Sequence, residues 1–218
     1  MPIRPLALVL AVLCAANAAA QTSPTDTPSP APPSAPAPTP WAYTLTVSGY
    51  LIAHGTSYAS PNFTADHDWT HLEARYNYEG LRTASLWLGY DFNVGKTLTL
   101  EATPMVGGVF GDIDGIAPGL EFTLTYKKLQ LYSANEYIFD TNTKSGDFFY
   151  TWTQLTYSPR PWIQTGYAMQ RTRAYHTSLD VQRGILIGFT RKKFNFSTTI
   201  FNFGWADPTV VLSLSYSF

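Results

Sequence analysis

The chain has little of what anchors a disulfide-built or a helical membrane protein. One of its 218 residues is a cysteine, Cys14, and it lies in an N-terminal stretch expected to be cleaved. The mature chain then has no thiol, which excludes a disulfide framework and cysteine metal ligation. Charge is sparse and balanced, 14 Lys+Arg against 15 Asp+Glu, with no basic stripe to hold nucleic acid. No run of about 18 apolar residues exists to make a membrane helix, and no helical periodicity runs through the chain. Strands of a membrane barrel escape that helix test, because only alternate residues need be apolar.

What is present is alternation. From Thr209 to Phe218 the residues Val210, Leu212, Leu214, Tyr216 and Phe218 face one way, and Ser213, Ser215 and Ser217 the other. A period of two separates a face that meets hydrocarbon from one that meets water or packed polar groups. A strand of this kind ending on an aromatic residue resembles the C-terminal signature of bacterial outer-membrane β-barrel proteins, here of a small porin-like type. The resemblance implies an antiparallel up-and-down transmembrane barrel in the Gram-negative outer membrane. It also implies that Tyr216 and Phe218 form an assembly signal, and that the chain meets membrane lipid, periplasmic chaperones and the barrel-assembly machinery. Small solutes or cations are the further partners expected, nucleic acid is not, and no cofactor is expected.

The N-terminus agrees. Arg4, the apolar run Leu6 to Leu13 and the small residues Ala18, Ala19 and Ala20 read as a secretory signal over residues 1–20. A lipid anchor on Cys14 is disfavoured, since Leu13 stands where a small residue is wanted. Residues 21–40 turn abruptly to Pro, Ala, Ser and Thr, which predicts an extended, disordered tether, either a spacer or a docking segment for a periplasmic partner. Residues 41–218 form the barrel domain.

Alternation and turn residues predict about twelve strands there, with about ten as the alternative. The least marked is Ser57 to Ala65; including it puts both termini on the periplasmic side. Short connections at Asn93 to Lys96, Lys127 with Lys128, Ser158 to Pro161 and Arg191 to Lys193 then fall inside. Longer ones, Asp140 to Asp147 and Thr172 to Val181, fall outside. Aromatics gather at strand ends, which predicts two girdles. Trp41, Tyr43, Tyr90, Phe92, Tyr126, Tyr157, Trp162, Phe194, Tyr216 and Phe218 belong to the periplasmic one; Tyr78, Phe110, Tyr137, Phe139, Phe149 and Phe203 belong to the other.

Parity assigns the lumen. With Leu72, Ala74, Tyr76 and Tyr78 toward lipid, His71, Glu73, Arg75 and Asn77 turn inward. The same rule places Ser85, Trp87, Asp91, Glu101, Glu121, Tyr132 and Glu136 inside, while Arg171 and Arg183 fall outward, near the outer rim. The lumen and selectivity candidates are therefore Glu73, Arg75, Glu101, Glu121, Glu136, Asp91 and His71. Two readings of this acidic excess stand: a narrow cation-favouring passage, or a plug whose charges satisfy one another. An enzyme is not expected. His176-Thr177-Ser178 has the His-x-Ser spacing of outer-membrane phospholipases, the one feature favouring a rim-sited lipid hydrolase, but no Asn follows in matching context. A metal site from His67 and His71 with Asp66 or Asp68 is weaker still, and none is expected.

Overall fold

A computed structural model describes residues 39–142, 146–173, 180–204 and 208–218. The signal, Cys14, nearly all of the proline-rich tether and His176-Thr177-Ser178 lie outside the described residues. The strands are β1 (Ala42–Ile52), β2 (Tyr58–His67), β3 (Thr70–Tyr76), β4 (Thr83–Tyr90), β5 (Phe92–Gly95), β6 (Leu98–Gly111) and β7 (Gly115–Tyr126). There follow β8 (Leu129–Asp140), β9 (Phe148–Arg160), β10 (Ile163–Arg173), β11 (Asp180–Arg191), β12 (Phe194–Phe201) and β13 (Thr209–Ser217). Each pairs antiparallel with its sequence neighbour, β1 pairs β13, and β4 and β5 both pair β6. Because β4 and β5 keep one continuous register on β6, they are two halves of one stave, and the sheet closes as a twelve-stranded barrel. Closure leaves no edge strand, the condition for a sheet to sit in lipid.

β1 begins and β13 ends at the same end of the barrel, where every hairpin is a two-residue turn: 68–69, 96–97, 127–128, 161–162 and 192–193. Asp68, Lys127 and Lys192 adopt positive φ there, as such turns demand. Gly95 does so at φ 101°, and a Cβ on it would lie 2.0 Å from the Leu98 carbonyl oxygen. Connections at the other end run from three to seven residues. We call these the turn end and the long-loop end.

The first and last strands fix the seam. Inside, Thr44, Thr46 and Ser48 hydrogen-bond Ser217, Ser215 and Ser213 at 3.2, 2.8 and 2.8 Å. Outside, Tyr43 stacks on Phe218 at 5.6 Å and Tyr216 packs on Phe194 at 4.7 Å. A slip of one residue would invert both faces. Leu45, Val47, Leu86, Leu88, Val106, Ile116, Leu155, Ile185, Ile187 and Leu214 stand exposed on the outer surface, an apolar belt flanked by exposed aromatics at both ends. That is a transmembrane barrel of outer-membrane type.

Three expectations are corrected. Residues 93–95 are strand rather than turn, and the turn falls at 96–97. Tyr78 does not join the outer girdle: Asn77 takes φ 55°, which breaks the alternation after Tyr76 and swings Tyr78 into the interior. Asn77 itself, expected in the lumen, serves the loop, donating to the Ala59 carbonyl and accepting from the Arg82 N–H.

Candidate functional site: an acidic interior around Arg75

On β3, His71, Glu73 and Arg75 occupy alternate positions and so project together into the barrel, all of them buried. The Arg75 guanidinium is the hub. Its Nη2 donates to Glu73 Oε2 at 2.5 Å and to Glu121 Oε1 at 3.0 Å, and its Nη1 donates to Glu136 Oε2 at 2.7 Å and approaches Glu79 Oε1 at 3.6 Å. Tyr78 and Trp87 flank it, their ring centroids 4.4 and 4.6 Å from its Cζ. Trp87 can lie there because Gly107 faces it across the β4–β6 pair; a Cβ at that glycine would stand 2.4 Å from the indole.

The carboxylates are held in turn. Glu73 Oε1 accepts from Asn62, Glu121 Oε2 accepts from the Tyr132 hydroxyl at 3.0 Å, and Glu79 accepts from Ser85 at 2.6 Å. Four carboxylates thus converge on one cation. Among the described residues, Glu79 Oε2 and Glu136 Oε1 on the acceptor side and Arg75 Nε on the donor side are buried without a hydrogen-bond partner. A buried charge persists only when paired or hydrated, and Arg75 supplies that pairing to all four carboxylates.

Toward the turn end the interior opens into a cavity of about 430 Å³, bordered by Asp66, His71, Asp91, Glu101, Glu121 and Tyr132 among others. Glu101 is exposed there, 3.5 Å from the Asn93 amide, and Asp91 accepts from Thr103 at 2.6 Å. A second cavity of about 330 Å³, also bordered by Glu121 and Tyr132, extends along the hydroxyls of β1 and β13 and the amides of Gln154, Gln164 and Asn195. Asp66, His71 and Asp91 each bring a ligand atom within 4.8 Å of the others. His71 Nδ1 and Asp66 Oδ1 are 2.6 Å apart, however, a hydrogen bond, whereas two ligands of one tetrahedral ion stand roughly 3.3 Å apart for bonds of about 2.0–2.1 Å. As arranged, His71 and Asp66 are a hydrogen-bonded pair, and Asp91 beside them is bonded to Thr103.

Toward the long-loop end apolar side chains fill most of the interior, with the hydroxyls of Ser60, Thr83, Ser85 and Thr199 also buried there. Trp87, Met105, Val109, Ala117, Ile138, Phe148 and Tyr150 form one buried cluster, and Tyr50, Ala168, Phe201 and Val211 another. Trp152 packs on both and meets Phe201 edge-on at 5.3 Å, so a layer of apolar side chains extends from β4 to β1 across the barrel.

The structure therefore brings Glu73, Arg75, Glu121 and Glu136 together and spaces His71, Asp91 and Glu101 along the cavity leading to them. Sequence reasoning missed Glu79, which lies past the end of β3 where alternation carries no information. It missed the apolar layer too, although Ile138 and Val211 occupy inward positions between outward apolar residues, a run of both parities that marks a filled section. Tyr216 and Phe218 sit at the turn end, outward and exposed, 5.6 Å apart.

No family model and no curated protein sequence matches the chain. Among solved structures it is similar to the KdgM porin, with a TM-score of 0.57 at 11% identity over 80% of this chain and 99% of that one. The KdgM porin in complex with disordered oligogalacturonate gives 0.57 at 10% over 80% and 99%. The NanC porin gives 0.56 at 9% over 79% and 98%. At such identities the likeness is one of fold.

Proposed function

We propose that this barrel is a narrow, cation-favouring porin of the outer membrane, with its passage closed toward the long-loop end by the Trp152 layer in the arrangement described. The observation that carries this reading is the convergence of Glu73, Glu79, Glu121 and Glu136 on the single cation Arg75, approached through a cavity lined by Asp66, Asp91 and Glu101. Rings of carboxylates favour cations, and an apolar constriction gates by excluding water until it widens. One solved porin of this fold holds oligogalacturonate, a polyanion. An acidic interior repels such a ligand, so the solute proposed here is a small cation or a neutral hydroxylated molecule that the Ser and Thr wall can solvate. Tyr216 and Phe218 are assigned to recognition by the assembly machinery, and the long loops to the cell exterior.

Proteoliposome swelling tests the reading. Small cationic and neutral solutes should enter faster than anionic ones of equal size, and faster entry of the anionic solute would contradict it. A second reading, a closed barrel with a structural role, is favoured by the apolar layer; it predicts no swelling with any solute.

A further inference from the structure

The outer surface is not uniformly apolar. On β8 to β11 the register sets Asn135, Thr151 and Arg171 side by side in one outward row, and Ser133, Thr153, Met169 and Arg183 in the row below. The uncharged groups satisfy one another: Thr151 donates to Asn135 at 2.7 Å, and Ser133 and Thr153 are 2.9 Å apart. The two arginines differ. Both are exposed, and neither pairs with a carboxylate among the described residues. They are diagonal neighbours on adjacent strands, within about 7–8 Å at the backbone.

Beside Arg183 lies a groove of about 250 Å³ over Gly184, walled by Tyr167, Ile185, Ile200 and Phe203. It continues toward the turn end as a hollow of about 170 Å³ lined by Ile187 and Thr198. Phe203 stands over both, 73% exposed. An apolar trough running down the barrel wall from two guanidinium groups with no carboxylate partner among the described residues has the shape and charge of one lipid: an acyl chain below, an anion above. A guanidinium held against the hydrocarbon is costly unless an anion or water meets it, and a phosphate can be met by two parallel hydrogen bonds.

We propose that β10 to β12 bind one membrane lipid bearing an anionic phosphate headgroup, its acyl chain in the Tyr167–Phe203 groove and its phosphate on Arg183 and Arg171. The proposal concerns the outer wall, so it stands or falls independently of what passes through the lumen.

Native mass spectrometry of the folded, detergent-solubilised protein tests it with phosphatidylglycerol, phosphatidylcholine and inorganic phosphate as probes. One phosphatidylglycerol should be retained in preference to phosphatidylcholine. The preference should fall about tenfold or more in R171Q/R183Q, since each surface cation contributes roughly 1 kcal/mol toward anionic lipid, and should largely survive in R171K/R183K. Ile185→Trp, which fills the groove, should weaken retention with both arginines intact, and it carries the test if R171Q/R183Q does not show heat-modifiable, folded migration. Equal retention of the two lipids, an undiminished preference in R171Q/R183Q, or unchanged retention in Ile185→Trp would overturn the proposal. Retention of inorganic phosphate alone would also overturn it, by showing an anion site without a chain. So would a dimer dissolved by R171Q/R183Q, which would make a second copy the occupant.

Discussion

Arg75 and Glu101 carry opposite signs and opposite structural weight. Arg75 is buried at 4% exposure, with four carboxylates and two aromatic rings around it. Replacing it by Met leaves buried carboxylates without a cation and should destabilise the barrel by about 3–5 kcal/mol. Glu101 is exposed in the cavity, where a carboxylate is solvated, and Glu101→Gln should change stability by less than about 0.5 kcal/mol. Urea unfolding in lipid vesicles separates the two, and equal losses would show that Glu101 belongs to the same packed network. Parity in the sequence placed both residues inside. It could not show this difference, which depends on how far across the barrel Arg75 reaches to Glu136, 61 residues away in the chain.

At the scale of the element, strand 209–217 shows how assembly and stability divide. Its inner face is a hydroxyl zipper to β1, its outer face an aromatic stack, and Phe218 closes that stack against Tyr43. Deleting Phe218 should slow insertion in cells clearly while lowering the stability of the finished barrel by only about 1 kcal/mol, because the side chain stays half exposed at the rim. Pulse-chase measurement of heat-modifiable protein checks this; wild-type insertion kinetics in the deletion would contradict the assembly assignment. Strands such as this one were legible because one face meets lipid and the other does not. Where that contrast fails, the sequence is silent. The stretch 92–95 pairs only with β6, beyond the reach of β3, and its turn-like Asn93 and Gly95 hid a strand end. Asn77 at positive φ is equally invisible to alternation, and Tyr78 and Glu79 were misplaced or missed with it.

For the whole molecule, the long-loop and turn ends differ in what they expose. If the long loops face the cell exterior, protease added to intact cells should cut within 141–147 or 174–179 and spare the two-residue turns at 161–162 and 192–193. Cleavage confined to the turns would invert the orientation. The barrel's interior is likewise polarised, with carboxylates and hydroxyls opening to the turn end and aromatic side chains filling the long-loop end. A polar half behind an apolar layer is the arrangement that the proposed narrow passage requires at rest.

The most direct test is the reversal potential of single barrels in a planar bilayer under a KCl gradient, compared with E101Q/E121Q. A narrow acidic passage should give brief openings with a cation-selective potential that moves toward zero in the double variant. Anion selectivity, a potential unchanged in E101Q/E121Q, or a barrel that never conducts would contradict it.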